Sequence, residues 1–228
     1  MKLDMKNILL ILSLLYFQFS YSQITRNVGD FNSLKIKGKI NVTLIQSSYD
    51  RIEIDGKNSY NVDIINKNGE LKLHLTAKKL LLSENVNARI FYQNLQSLQA
   101  KAGAIIQSEK PLNIEKLKLT SRGNSLINLD VNTKDLIAKV SSRGKIILRG
   151  KANNQNLTVS YNGIYNGKEL KTYNTNIKAN SRGSADIFVT KVLKARARTG
   201  ASIVVHGNPD NRKDRKTSLG GNILFLRR

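Results

Sequence analysis

From residue 31 onward, apolar residues recur at every second position in short bursts. Phe31, Leu34, Ile36, Ile40, Val42 and Leu44 are separated mostly by Lys, Gly, Asn and Thr, and Arg51-Ile52-Glu53-Ile54 alternates again. This period of two predicts half-buried β-strands, with one face inward and one in water. Val62 to Ile65 and Leu71 to Leu75 flank Asn66-Lys67-Asn68-Gly69, which reads as a hairpin turn. No stretch carries a strong 3.6-residue stripe. Ala77 to Asn87 reads as either a short helix or a loop.

Beyond about residue 95 the alternation becomes periodic on a longer scale. Glycines fall at Gly103, Gly123, Gly144, Gly163, Gly183, Gly200 and Gly220, at intervals of 20, 21, 19, 20, 17 and 20. Short alternating strands lead into them, as in Leu117 to Arg122 and Ile177 to Arg182. A second apolar alternation follows most of them, as in Lys145 to Leu148 and Ala201 to Val205. Turn-prone pairs mark the midpoints: Lys110-Pro111, Asn132-Thr133, Asn153-Asn154, Asn166-Gly167 and Asn208-Pro209. A fixed period near 20 with two strands per unit predicts a β-solenoid. Glycine suits the sharp turn because it accepts positive φ and lets backbones pass closely. The competing arrangement is an antiparallel sandwich. A left-handed hexapeptide helix is excluded, since no apolar residue recurs every six positions. The expected layout is residues 1–22 as a signal peptide, 23–99 as a strand-rich N-terminal lobe or cap, and 100–228 as the solenoid.

The first residues have their own pattern. Lys2 and Lys6 precede an apolar run from Ile8 to Phe19, and Ser20-Tyr21-Ser22 places small residues where a signal peptidase reads. This predicts cleavage before Gln23 and export to the periplasm, outer surface or medium. The run is too short to span a bilayer, and no Cys follows it to carry a lipid anchor.

The N-terminal strand Ile36-x-Gly38-x-Ile40-x-Val42-x-Leu44, the Asn68-Gly69-Glu70-Leu71-x-Leu73 segment and the glycine turns together resemble a known family. It is the putative auto-transporter adhesin, head GIN domain family of exported Bacteroidetes-type proteins, and the resemblance covers about residues 30–225. That family's turns centre on Gly-Ser-Gly. Here the first Gly is mostly replaced, as in Ser121-Arg122-Gly123, Ser142-Arg143-Gly144 and Ser181-Arg182-Gly183. The resemblance implies a β-superhelix, right-handed like the pectin-lyase helices, that acts in adhesion or surface structure. It implies neither catalytic residues nor a cofactor.

Charge sharpens the picture. The chain carries 38 Lys and Arg against 16 Asp and Glu, for a formal net charge of +22. Residues 100–228 hold 25 of these cations and 8 of the acids. Lys194-Ala195-Arg196-Ala197-Arg198 puts three cations on one strand face and two alanines on the other, and Lys116 and Lys118 repeat this around Leu117. Arg122, Arg143 and Arg182 each precede a turn glycine. As equivalent positions of stacked coils they would form a column, either merely solvated or binding sulfate, phosphate or carboxylate groups. Arg122, Arg143, Arg182, Lys194, Arg196 and Arg198 are therefore the candidate anion-binding residues.

Catalytic and metal chemistry find little support. With no Cys and two His, thiolate catalysis and most His-based zinc sites fall away. His74 is expected on a wet strand face and His206 in a turn. The acids of the periodic half are scattered, whereas a β-helical polysaccharide lyase or hydrolase, the alternative reading, needs them clustered. The expected function is a non-catalytic exported binding or adhesion module. Its expected partners are anionic polysaccharide, lipopolysaccharide or another cell-surface component. Extracellular nucleic acid could bind without specificity, since aromatic stacking platforms are few. Strand edges at the solenoid ends suggest a homo-oligomer, through Leu219 to Arg228, and a structural, self-assembling envelope protein is a further alternative.

Overall fold

In a computed structural model, residues 24–56, 59–75 and 86–226 are described. The expected signal peptide, residues 1–22, and residues 77–85 of the ambiguous stretch lie outside them. The described chain is almost entirely strand. It builds a β-solenoid of about six turns with coils near 20 residues, preceded by an N-terminal strand region.

The strands in chain order begin with β1 (Ile24–Asn27), β2 (Ser33–Lys37), β3 (Ile40–Gln46), β4 (Arg51–Asp55), β5 (Val62–Lys67), β6 (Glu70–Leu75) and β7 (Val86–Tyr92). Then come β8 (Ser97–Lys101), β9 (Ile105–Ser108), β10 (Leu112–Asn113) and β11 (Lys116–Arg122). The long strands β12 (Leu126–Ser141), β13 (Lys145–Val159), β14 (Ile164–Ala179) and β15 (Ser184–Arg198) follow, and β16 (Ser202–His206), β17 (Asn211–Ser218) and β18 (Asn222–Phe225) end the chain.

Each coil has a strand before the turn and a strand after it, stacked in parallel register on the coils above and below. Leu119 pairs with Ala138, Ala138 with Leu157, Leu157 with Ile177, and Ile177 with Ala195. All five are buried, so alternation on each strand becomes a continuous inward column. The post-turn sheet supplies the facing columns, for example Ile127, Ile146 and Tyr165. Burying each Leu or Ile contributes about 1.5–3 kcal/mol.

The N-terminal region joins the same ladder. β2 pairs in parallel with β8 on one side and β6 on the other, and β3 does the same with β9 and β7. β8 runs across residues 99 and 100, where the lobe was expected to end. Antiparallel strands close this end: β5 on β6, β4 on β7 and β1 on β4. The β5–β6 hairpin turns at Asn68 and Gly69, with φ of 53° and 72°, as its sequence predicts. At the other end β17 pairs with β15 and β18 with β16, and no described strand covers their outer edges. Leu219 to Phe225 is thus part of the last coil. Arg212 and Arg215 lie over the Phe225 ring there, 4.9 and 5.2 Å from its centroid.

The second corner of the coil differs from its expected form. β12 to β15 round it without a break, each being the post-turn strand of one coil and the pre-turn strand of the next. The pairing skips at the exposed residues Lys134, Asn153, Tyr173 and Lys191. Asn166-Gly167, expected as a midpoint turn, lies inside the post-turn sheet instead. Gly167 is buried there, and a Cβ would sit 2.6 Å from the Tyr165 ring, so the glycine makes room for the tyrosine. Beside it, Gln155 donates to the Tyr165 hydroxyl and Thr175 donates to Gln155 Oε1 at 3.2 Å, so these buried polar groups satisfy one another.

Candidate functional site

The turn decides which side chains become neighbours. In each turn from Ala102 onward two successive residues adopt the left-handed conformation: Ala102-Gly103, Gly123-Asn124, Ser142-Arg143, Tyr161-Asn162, Ser181-Arg182, Thr199-Gly200 and Leu219-Gly220. Backbone hydrogen bonds link each pair to the next, from Arg143 N to Tyr161 O at 3.2 Å and from Arg182 N to Thr199 O at 3.0 Å. The glycines occupy three different places in this one turn. Gly123 is first; Gly103, Gly200 and Gly220 are second. Gly144, Gly163 and Gly183 follow the pair and do not have positive φ. A Cβ on Gly144 would lie 2.4 Å from the Ser121 carbonyl oxygen, so close approach demands glycine there.

This slip corrects the expected arginine column. Arg143 and Arg182 share the second turn position, with Asn162 between them, and so stand roughly 10 Å apart. Arg122 ends β11 one place before its turn and pairs in register with Lys101 and Ser141. Its column is Lys37, Lys101 and Arg122, in three consecutive coils. Lys35 lies on the same face of β2. Partial burial, and then the charges of Lys35, Arg122 and Lys37, hold the Lys101 ammonium below its ordinary range.

A second cationic cluster lies further along the same outer face. Lys178, Arg196 and Lys216 are register neighbours, flanked by Lys194 and Arg198, while Ala195 and Ala197 point inward as expected. Arg198 Nε donates to Ser218 Oγ at 3.2 Å. Between the clusters the face carries Lys139 and, nearer the corner, Asp135, with Ser141 and Thr158 outward of the core columns. Lys37, Lys101, Arg122, Lys139, Lys178 and Arg196 form no ion pair with a described residue, whereas Lys194 stands in register with Asp214 of β17. At the N-terminal end Lys72 bonds Glu70 at 2.9 Å and holds that carboxyl below the usual range.

The outer face of the post-turn sheet carries several ion pairs beside the exposed Lys145, Lys151, Lys168 and Lys171. Arg149 Nε meets Asp130 at 2.6 Å, His206 Nε2 meets Asp186 at 3.0 Å, and Arg51 and Arg89 both hold Glu53, at 2.8 and 3.0 Å. His206 is the last residue of β16 and not part of a turn. His74 does face outward, bonded to Asp63 across the β5–β6 hairpin at 3.1 Å. Sequence reasoning missed the two His–Asp pairs because both depend on strand register. Among the described residues no three His, Asp or Glu cluster as a metal site. Tyr161 is 63% exposed, whereas Tyr165 is wholly buried, so the two tyrosines of that turn do not form one platform.

Residues 30–209 match the family described as putative auto-transporter adhesin, head GIN domain. The chain belongs to this family. Its solved structural neighbours are distant in sequence. A putative adhesin from Bacteroides fragilis is 21% identical, covering 91% of this chain and 98% of its own, with a TM-score of 0.81. A putative adhesin from Parabacteroides merdae is 20% identical over 92% and 98% of the two chains, with a TM-score of 0.69. A putative lipid binding protein from Parabacteroides distasonis, 14% identical, has the same coverage and a TM-score of 0.67. No curated protein matches the sequence.

Proposed function

We propose that this chain is a non-catalytic, exported module of the bacterial cell envelope whose pre-turn face holds anionic polymers. Acidic polysaccharide and lipopolysaccharide are the intended partners. The observation that carries the reading is the pair of cation clusters on one rigid face, Lys35, Lys37, Lys101 and Arg122 below and Lys178, Arg196 and Arg198 above, none of these ion-paired with a described residue. Cations that a fold leaves unpaired and in register raise the local potential and favour a multiply charged ligand. The signal-like N-terminus and the adhesin family support an envelope location.

The test is binding of the mature chain to immobilised alginate, lipopolysaccharide and duplex DNA across a salt series. Binding should weaken steeply with salt. Lys178→Gln, Lys194→Gln, Arg196→Gln and Arg198→Gln together should remove most of it. Neutralising Lys145, Lys151 and Lys168, which lie on β13 and β14 in the post-turn sheet, should change it little. Equal losses from both sets would reduce the effect to net charge. New reducing ends or unsaturated products from the polysaccharides would overturn the non-catalytic reading in favour of a β-helical lyase or hydrolase.

A further inference from the structure

Between the core columns and the continuous corner, the pre-turn sheet carries a groove along the solenoid axis. One stretch, about 470 Å³, is bounded by Ser97, Lys116, Lys118, Ile137 and Asn156. The next, about 350 Å³, shares Asp135, Asn154 and Asn156 with it and continues to Asn174, Asn176 and Lys194. On the other side it runs through Gln96 and Lys116 into a third depression of about 460 Å³ that reaches Tyr92. Coils stack at about 4.8 Å, so the groove extends for roughly 20–25 Å.

Its floor is a ladder of amides. Asn154 Nδ2 donates to Asp135 Oδ1 at 2.9 Å, Asn174 Nδ2 to Asn154 Oδ1 at 2.9 Å, and Asn176 Nδ2 to Asn156 Oδ1 at 3.3 Å. These bonds fix each amide plane and leave a second N–H and a second lone pair on each free to act. Side chains that both donate and accept, present on two successive coils and anchored on the Asp135 carboxylate of the coil before, suit vicinal hydroxyls. Ile137 interrupts this pattern. It stands between Lys118 and Asn156 in an outward, otherwise polar column and is 42% exposed. No inward packing requires an apolar residue there, and it offers a platform for the C–H face of a sugar ring. Lys118 and Lys194 stand in the same column.

We propose that this groove is a subsite for a carboxylate-bearing glycan lying along the solenoid axis. Its hydroxyls bond the asparagine ladder, one ring lies on Ile137, and its carboxylates meet Lys118 and Lys194. The proposal rests on the reading of the pre-turn face as a polyanion surface and adds the ligand class. The amides occupy two successive coils, with Ile137 and Asp135 on the coil before them and Lys194 on the coil after, so each ring of an axial chain meets a different group.

The experiment compares binding of the mature chain to oligogalacturonates of increasing length and to duplex DNA. Affinity for the uronates should rise with length up to roughly five residues, the number of coils spanned, and then level off. Ile137→Ser, and separately Asn156→Ala with Asn176→Ala, should weaken uronate binding about tenfold while changing DNA binding less than about twofold. Arg196→Ala with Arg198→Ala should weaken both. Melting temperature checks that each variant is folded. If the groove variants affect both ligands equally, or neither, the subsite is overturned while the polyanion surface stands. If DNA binds and uronates do not, the ligand class is overturned. If the parent chain binds no polyanion at low salt, the broader reading falls as well.

Discussion

On the post-turn sheet Asp130 holds Arg149 and Asp186 holds His206, whereas on the opposite sheet Lys139, Lys178 and Arg196 have no carboxylate partner among the described residues. Both sheets are made by the same strands, since β12 to β15 each run from one into the other. Inside they are alike: Leu157 and Leu148, on the two halves of β13, are equally buried. The solenoid therefore dictates only the inward half of each alternation. The outward half is free to differ: the post-turn sheet pairs Arg149 and His206 with acids beside the exposed Lys145, Lys151, Lys168 and Lys171, whereas the pre-turn sheet twice stacks cations in register over three coils. Exposed ion pairs contribute little to stability, so the difference is not needed to hold the fold. The stacked cations are what the proposed polyanion reading rests on.

The largest expected effect tests the claimed equality of the interiors. Leu157→Ala and Leu148→Ala should each cost about 2–5 kcal/mol in urea unfolding, because each leaves a void in a column held by neighbours above and below. Lys139→Ala and Lys178→Ala on the outer face should fall within about 0.5 kcal/mol of the parent chain. A mild effect at one leucine only would mean that the two sheets are not equivalent inside.

Much of this interior was legible in the chain, because Leu117, Leu119, Ala195 and Ala197 announce their direction through alternation alone. The coil length was legible too, since one glycine falls near each turn. The phase was not. Glycine meets two different demands within the same turn, a positive φ at Gly200 and a close backbone approach at Gly144, and spacing cannot tell them apart. That ambiguity of one or two residues moved Arg122 into the wrong column. It equally hid the asparagine ladder and the Asp186–His206 pair, which exist only once the coils are in register. Asn166-Gly167 looked like a turn because its sequence is one; the size of Tyr165 beside it was the competing cause.

A middle-sized effect comes from the turn arginines. Arg143 sits at φ 60°, a conformation that costs a non-glycine residue about 1–2 kcal/mol. Arg143→Gly removes that strain at a cost of about 0.5–1 kcal/mol in chain entropy, so stability should be unchanged or rise by up to about 1 kcal/mol. Gly144→Ala, one residue on, should be destabilised by about 1–3 kcal/mol, because its methyl meets the Ser121 carbonyl. Thermal unfolding separates the two. If Arg143→Gly also weakens polyanion binding while melting no lower, the strained arginine is retained for its charge.

The smallest effect probes the cost of gathering cations on one face. Partial burial and the neighbouring charges of Lys35, Arg122 and Lys37 depress the Lys101 pKa in the folded chain relative to the unfolded one. Below the folded value Lys101 is charged in both states, and the full penalty of folding it is present. As pH rises from that depressed value towards the ordinary lysine value, the unfolded chain keeps its proton longer, so folding becomes relatively more favourable. Lys101→Met should therefore melt slightly higher than the parent chain at neutral pH. The gap should shrink as pH approaches the lysine range, and it should also shrink with added salt, which screens the neighbouring charges. A gap unaffected by either would mean that these cations do not feel one another. The lower cluster would then be a set of independent solvated side chains, and the contrast between the two sheets would rest on the upper cluster alone.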